Sequence, residues 1–290
     1  MTTRSPLRQY AHAARHFAST RAQEVLALQA SPVLGVVLGG FSLESCDVLR
    51  PALLIVGSIA LTAHIFIFND WVGRNSDMRD PRRANLVFVS QGISSRQVAS
   101  IAIALLIIAN VAFAAVGSPA ILFGAAIAAL SLLYSCFGKS SPIVASLNHV
   151  LGGVLHFLLG YTVSRGMDER GLMISLFFGL VFAAGHLNQE VRDYEGDLLN
   201  DIRTSAVVFG CRRTFLASLS LFTGAYALIV GLAAVGILPR LLLWSAILWL
   251  LHVAWSLQAL RRGLGFETAE WMQRRYRLLF ALVGLAMLAR

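Results

Sequence analysis

Two groups of acidic residues sit where two long apolar stretches end, and their spacing suits them to hold divalent cations. The first reads Asn69-Asp70-Trp71-Val72-Gly73-Arg74-Asn75-Ser76-Asp77. The second reads Glu190-Val191-Arg192-Asp193-Tyr194-Glu195-Gly196-Asp197. On a helix, Asp70 and Asp77 share a face, and so do Glu190, Asp193 and Asp197 at i, i+3, i+7. Mg²⁺ takes oxygen ligands, usually one or two carboxylates completed by water and substrate phosphates. Two facing carboxylate stripes could therefore hold Mg²⁺ ions that in turn hold the phosphates of a substrate. Asp70, Asp77, Glu190, Asp193 and Asp197 are the expected metal ligands. The plainer alternative is interfacial acids that neutralise nearby arginines; recurrence of the spacing in both halves favours ligation. Asn69 and Asn188 could orient these carboxylates or cap a helix end. Glu195 lies off the shared face and reads as a supporting group.

Phosphate oxygens also need cations. Arg79, Arg82, Arg83, Lys139, Arg192 and Arg203 are the candidates, arginine offering a planar fork and lysine a compact charge. Lys139 is the only lysine in the chain. A topological role competes for each arginine, and Arg212 and Arg213 read as topology alone. Tyr134 stands near the end of an apolar stretch, facing either the reacting group or the membrane interface. His64, His149, His156 and His186 fall inside apolar stretches, where polar groups are functional or bonded between helices. His64 and His186 lie nearest the acidic groups. Phe66, Phe68, Trp71 and Phe182 could present π faces to a cation or simply pack.

The elements that must position these residues are membrane helices. The chain has 290 residues, 57% hydrophobic and 13% charged, against roughly 25% charge in a soluble domain. Stretches near the roughly 20 apolar residues needed to cross a bilayer recur throughout. Eight clear spans are expected at 25–43, 51–68, 98–116, 119–137, 143–163, 172–187, 215–238 and 241–260. A ninth, at 271–289, carries Arg274, Arg275 and Arg277. Lipid leaves free backbone groups without partners, so the spans must be helical. With the N-terminus cytoplasmic and nine spans, 19 of the 24 lysines and arginines fall on cytoplasmic segments. That is the positive-inside pattern rather than a nucleic-acid footprint. It places both acidic groups on the cytoplasmic side, in motif loops at 69–97 and 188–214. Residues 1–23 form a basic N-terminal segment expected along that interface, with no apolar core of a cleaved signal. Cys46, Cys136 and Cys211 show no paired spacing, which argues against a disulfide framework or a zinc site. The two loops also end on similar text, Val89-Ser90-Gln91-Gly92-Ile93 and Ala206-Val207-Val208-Phe209-Gly210. The expected architecture is one polytopic all-α domain over 1–290. A weak internal repeat faces its two acidic groups across a central apolar cavity that opens to the cytoplasm.

In these residues the chain resembles the UbiA-type intramembrane prenyltransferases. That family carries N-D-x-x-D-x-x-x-D after its second helix, matched here by Asn69-Asp70-x-x-Gly73-x-x-x-Asp77. Its second motif, D-x-x-D-x-x-x-D, is matched by Glu190-x-x-Asp193-x-x-x-Asp197 with the family's E-G-D at Glu195-Gly196-Asp197. Arg203-Thr204, Phe209-Gly210 and Tyr134-Ser135-Cys136-Phe137-Gly138-Lys139 also fit. Gly73 replaces a motif aspartate, and Glu190 stands where aspartate is usual. A basic residue common after the first motif is missing from Asn85–Gly92. The family's asparagine early in the fifth span falls at Ser146 or Asn148.

The resemblance implies Mg²⁺-dependent transfer of a prenyl group from an isoprenoid diphosphate to an aromatic or similar lipophilic acceptor after the diphosphate ionises. Asp70, Asp77, Asp193, Asp197 and Tyr134 would act on substrate, and Asn69 and the basic residues would bind the diphosphate. A membrane terpene cyclase, a phosphoribosyl transferase to a polyprenyl phosphate, and a non-enzymatic relative stay open beside it. Membrane lipids are expected surroundings; neither nucleic acid nor a protein partner is.

Overall fold

The computed structural model describes residues 6–41 and 47–289. Residues 1–5 of the basic segment, 42–43 of the first expected span, Cys46 and Arg290 lie outside the described residues. Within them every regular element is helical. The order is α1 (Pro6–Leu28), α2 (Ala30–Leu38), α3 (Leu49–Arg79), α4 (Ser95–Val116), α5 (Ser118–Leu133), α6 (Pro142–Ser164), α7 (Glu169–Leu199), α8 (Ser205–Phe209), α9 (Cys211–Ala234), α10 (Ser245–Arg262) and α11 (Phe266–Met287).

Among the described residues, seven helices are long and apolar enough to cross a membrane: Leu49–Arg79, Ser95–Val116, Ser118–Gly138, Pro142–Ser164, Glu169–Leu199, Cys211–Ala234 and Arg240–Arg262. The other two expected spans fall short of that measure. Across 25–43 the helix breaks at Gln29. Pro32 has no N–H to bond the Leu28 carbonyl, so α2 is a separate nine-residue helix. At the far end, α11 carries its three arginines within its first twelve residues. Arg275 stays among the helices by stacking on Trp271, 3.7 Å from the ring centre, with Trp255 at 5.5 Å.

The two acidic groups are not in loops. α3 and α7 each run 31 residues, about 46 Å at 1.5 Å per residue. That exceeds a hydrocarbon core of about 30 Å, so the acids project from the last turns of overlong helices. Nothing between Asn69 and Arg79 breaks a helix. The turn comes at Asp80, which adopts an extended conformation (ψ 113°) before Pro81, as residues preceding proline do.

α3 packs on α4, α7 on α9, and α6 lies between α2, α5 and α7. Leu54, Leu61 and Phe113 centre the core of the first half; Phe157, Ile174, Phe178 and Ile229 centre that of the second. α2 crosses α6 backbone to backbone: a Cβ at Gly160 would collide with the Pro32 carbonyl, the close approach small residues permit in membranes. α1 does not lie free along an interface. Ala13 and Phe17 are buried with Val87, Phe88, Ile93 and Val98 of the α3–α4 connection and α4.

Candidate active site

Where α3 and α7 end, a polar cleft of about 230 Å³ opens between them. Asp70, Asp77 and Asp80 border it from one side, Arg192 and Asp193 from the other, and Arg82 and Arg83 from the connection. Arg83 bridges the two sides. Its Nη2 lies 2.5 Å from Asp193 Oδ2, its Nη1 3.3 Å from Asp77 Oδ1 and its Nε 3.8 Å from Asp80 Oδ2. Burial opposes a charge on Arg83, but Asp193 and then Asp77 outweigh it and hold its pKa above the ordinary value. Arg192 forks both oxygens of Asp193 at 2.8 and 3.0 Å and reaches Gln273 Oε1 at 2.8 Å. Asp70 is forked by Arg21 of α1. Burial opposes that guanidinium's charge too, and Asp70 again outweighs it.

Asp197 and Lys139 meet in a narrow adjoining cleft with Asp77 and Asp193. The ends of the two helices are tied there: Asn200 Nδ2 donates to the Ser76 carbonyl at 3.0 Å and the Gly196 carbonyl at 2.9 Å. Gly196 lets them approach, since a Cβ would fall 2.5 Å from Asp80 Oδ2.

The other expected site residues are placed elsewhere. Glu190 is buried and borders none of these spaces. Its Oε2 accepts the Ser205 N–H at 2.9 Å, and its Oε1 lies 3.0 Å from His186 Nε2 without hydrogen-bond alignment. Arg79 and Arg203 are exposed and also border none of them. Arg82 pairs with Glu195 at 2.6 Å. Asn188 donates to the Ala269 carbonyl. Among the described residues, no three His, Cys, Asp or Glu side chains form a ready-made metal cage; arginines stand between the carboxylates.

Further in, α1, α3, α5, α6, α7 and α11 line a chamber of about 380 Å³, with Glu24 and Arg277 at its border. Phe66, Ile127, Leu130, Val181 and Phe182 give it apolar walls; Asn69, Tyr134, Asn148, His149, His156 and His186 border it as well. Tyr134 opens a π-helical turn at Tyr134–Gly138, a local form frequent at functional sites. Ser135 Oγ donates to Asn69 Oδ1 at 3.4 Å. Of Ser146 and Asn148, Asn148 borders the chamber. His64 does not; its Nδ1 donates to the Ala102 carbonyl and its ring stacks on Phe68.

Sequence reasoning missed Arg21 and Asp80. Asp80 continues the three-residue spacing from Asp77 and was there to be found. Arg21 stands 49 residues before Asp70, in a stretch that reads as interfacial, and carries no signal of its own.

The model of the UbiA prenyltransferase family matches residues 33–283. Three solved structures share the fold. A UbiA homolog from Archaeoglobus fulgidus bound to GPP and Mg²⁺ is 18% identical, covering 94% of this chain and 99% of its own, with a TM-score of 0.72. An apo UbiA homolog from Aeropyrum pernix K1 is 16% identical over 91% and 97%, with a TM-score of 0.73. A digeranylgeranylglyceryl phosphate synthase is 17% identical over 95% and 97%, with a TM-score of 0.69. No curated protein matches the chain by sequence.

Proposed function

The chain belongs to the UbiA prenyltransferase family, and from that premise we propose that it transfers a prenyl group from an isoprenoid diphosphate to a lipophilic, aromatic acceptor. One observation carries the reading. The same two helices, α3 and α7, gather carboxylates around a bridging guanidinium at their ends and wall an apolar chamber further in. The cleft suits a diphosphate and the chamber its hydrocarbon chain.

The donor set fits Mg²⁺, the ion bound with GPP and with DMAPP in the Archaeoglobus homolog. All donors are hard oxygens. Mg²⁺ needs few protein carboxylates once phosphates and water complete its shell, so no preformed cage is required. Asp70, Asp77, Asp193 and Asp197 would hold it; Glu190 would join only by giving up the Ser205 N–H. The bound metal neutralises charge on the leaving diphosphate.

The chain's own groups do the rest. Arg83, Arg82, Arg192 and Lys139 exchange their acidic partners for diphosphate oxygens; Arg79 and Arg203 would reach them only by moving in from the surface. Asn69 and Tyr134 mark the step from cleft to chamber. There the allylic C–O bond breaks and its electron pair leaves on the diphosphate. The apolar walls keep water from the cation, and Phe66, Phe182 and Tyr134 offer it ring faces. The acceptor then forms the new bond and sheds a proton.

Purified protein incubated with geranyl, farnesyl or geranylgeranyl diphosphate and Mg²⁺ tests this. Turnover that rises on adding an aromatic acceptor and yields its prenylated product is the expected result. Cyclic hydrocarbons without acceptor would make it a cyclase, and no binding of any of the three would end the reading. The side of the membrane is tested separately. Cysteines replacing Met78 and Leu199, both exposed at the ends of α3 and α7, should react with an impermeant reagent from the cytoplasmic side. Labelling of the two from opposite sides would sink the arrangement.

A further inference from the structure

Whatever nucleophile ends it, a carbocation route must dispose of a proton; at the clefts Asp70, Asp77, Asp80 and Asp193 are engaged by arginines and Asp197 lies beside Lys139, while Glu24, the carboxylate bordering the chamber, lies in the field of Arg21. The chamber offers three imidazoles, and their surroundings separate them. His156 Nδ1 donates to the Gly152 carbonyl at 2.8 Å, while its Nε2 is sealed in the protein without a partner. His186 Nε2 is set against Glu190 Oε1 at 3.0 Å. His149 is the open one. Its Nδ1 lies 2.8 Å from the Ala145 carbonyl. A carbonyl oxygen only accepts, so the proton sits on Nδ1 and the lone pair on Nε2. Unlike that of His156, this Nε2 is not among the sealed atoms, and no hydrogen bond occupies it among the described residues. The ring cannot swing away. It stacks on His186 with centroids 3.6 Å apart and planes within 6°, and the Tyr134 ring meets it edge-on at 5.0 Å.

Resting on the reading above, we propose that His149 is the catalytic base that receives the proton in this reaction. When the cation loses a hydrogen directly, its C–H bond breaks, that electron pair becomes the new C=C bond, and the proton bonds to the Nε2 lone pair. When an aromatic acceptor is bound, the carbon that has joined the prenyl group loses its hydrogen to the same lone pair, and the electron pair restores the ring. The Nδ1–H bond to Ala145 holds the ring in one tautomer throughout and solvates the imidazolium. The proton then passes to water at the open side of the chamber.

The test uses the full-length protein, Mg²⁺ and geranyl, farnesyl or geranylgeranyl diphosphate, each with and without 1-naphthol. The readout is a ratio: alkene plus prenylated naphthol, formed by proton loss to the protein, over allylic alcohol, formed by capture of water. Taken per diphosphate released, it is insensitive to a general loss of turnover, such as a merely structural role would cause. His149→Ala should lower the ratio at least about tenfold, a floor set below the roughly 10²–10⁴-fold contribution of positioned bases. His149→Gln keeps an amide in reach of Ala145 and serves where alanine fails to fold; it should lower the ratio equally. A smaller fall in both variants, with diphosphate still released, overturns the role of His149 and leaves the prenyltransferase reading standing. No diphosphate released by the wild type in either arm overturns that reading, and this inference with it.

Discussion

On α3 the acids meet arginines from outside their own helix: Asp70 holds Arg21 of α1, and Asp77 holds Arg83 of the following turn. On α7 the pattern differs. Asp193 shares Arg83 but is also forked by its own neighbour Arg192, and Glu190 faces inward to Ser205 and His186. The two halves repeat the same spacing with different purposes for the first and middle positions. On α3 the middle position is Gly73, which carries no acid. On α7 the first acid, Glu190, accepts the Ser205 N–H and lies against His186 one turn back. Each arm then brings two aspartates to the clefts, and the guanidinium of Arg83 is the positive charge that bridges Asp77 and Asp193.

Removing an acid from the stronger arm should have the largest effect. Asp193→Ala or Asp197→Ala is expected to lower Mg²⁺-dependent turnover of a prenyl diphosphate about 10²–10³-fold, the scale for groups that stabilise developing charge. Wild-type turnover in both would remove the α7 arm from the site.

Glu190 sharpens the contrast next, because it separates structure from ligation within one motif. Glu190→Ala strands the Ser205 N–H and leaves His186 facing a void, costing about 3 kcal/mol, read as a lower melting temperature in detergent. Glu190→Gln keeps an acceptor for Ser205 and should recover most of that stability together with diphosphate binding. A Glu190→Ala protein that melts normally but no longer binds diphosphate with Mg²⁺ would show that Glu190 is a ligand after all.

The contrast also shows what a sequence exposes. Hydropathy and spacings of three, four and seven residues are local, so the helical membrane fold and both acidic groups were legible at once. Partners set by tertiary packing were not. Nothing near Glu190 announces that Ser205, fifteen residues on, takes its carboxylate, although His186 at i−4 was a readable hint. The ninth span is blurred by three arginines; Arg275 stacks on Trp271 one turn back and meets Trp255 of α10, a partner that only folding supplies. The first is broken by one proline that an average over hydropathy hides. His149 looked like any intramembrane histidine until its tautomer and open nitrogen were set by neighbours.

Arg21 tests whether α1 restrains the weaker arm. It is partly exposed, so its pair with Asp70 is discounted for solvent to about 1 kcal/mol. Arg21→Ala should free Asp70 and lower half-saturating Mg²⁺ about fivefold, measured by diphosphate release or by Mg²⁺-dependent diphosphate binding. An increase instead would mean that Arg21 holds the diphosphate itself, and that α1 belongs to the binding site.

The smallest effect expected, Gly73→Asp, would make the two arms more alike. Residue 73 lies three after Asp70 and four before Asp77, on their shared face. The helix runs unbroken through it, and no neighbouring backbone crowds it: an added Cβ would meet first Asp77 Oδ2 at 3.3 Å and Ser76 Oγ at 3.9 Å. Close helix approach, the usual reason for glycine in a membrane helix, is therefore not what holds this position. A third carboxylate would instead crowd Asp77, a like-charge pair at i, i+4 costing about 0.3–0.5 kcal/mol. A cation would relieve that repulsion. Gly73→Asp should melt slightly lower than wild type without Mg²⁺, gain more from adding it, and shift half-saturation about twofold lower. Loss of fold and activity together, with no recovery in Mg²⁺, would show that α3 needs glycine here and that its arm never had a vacant ligand position.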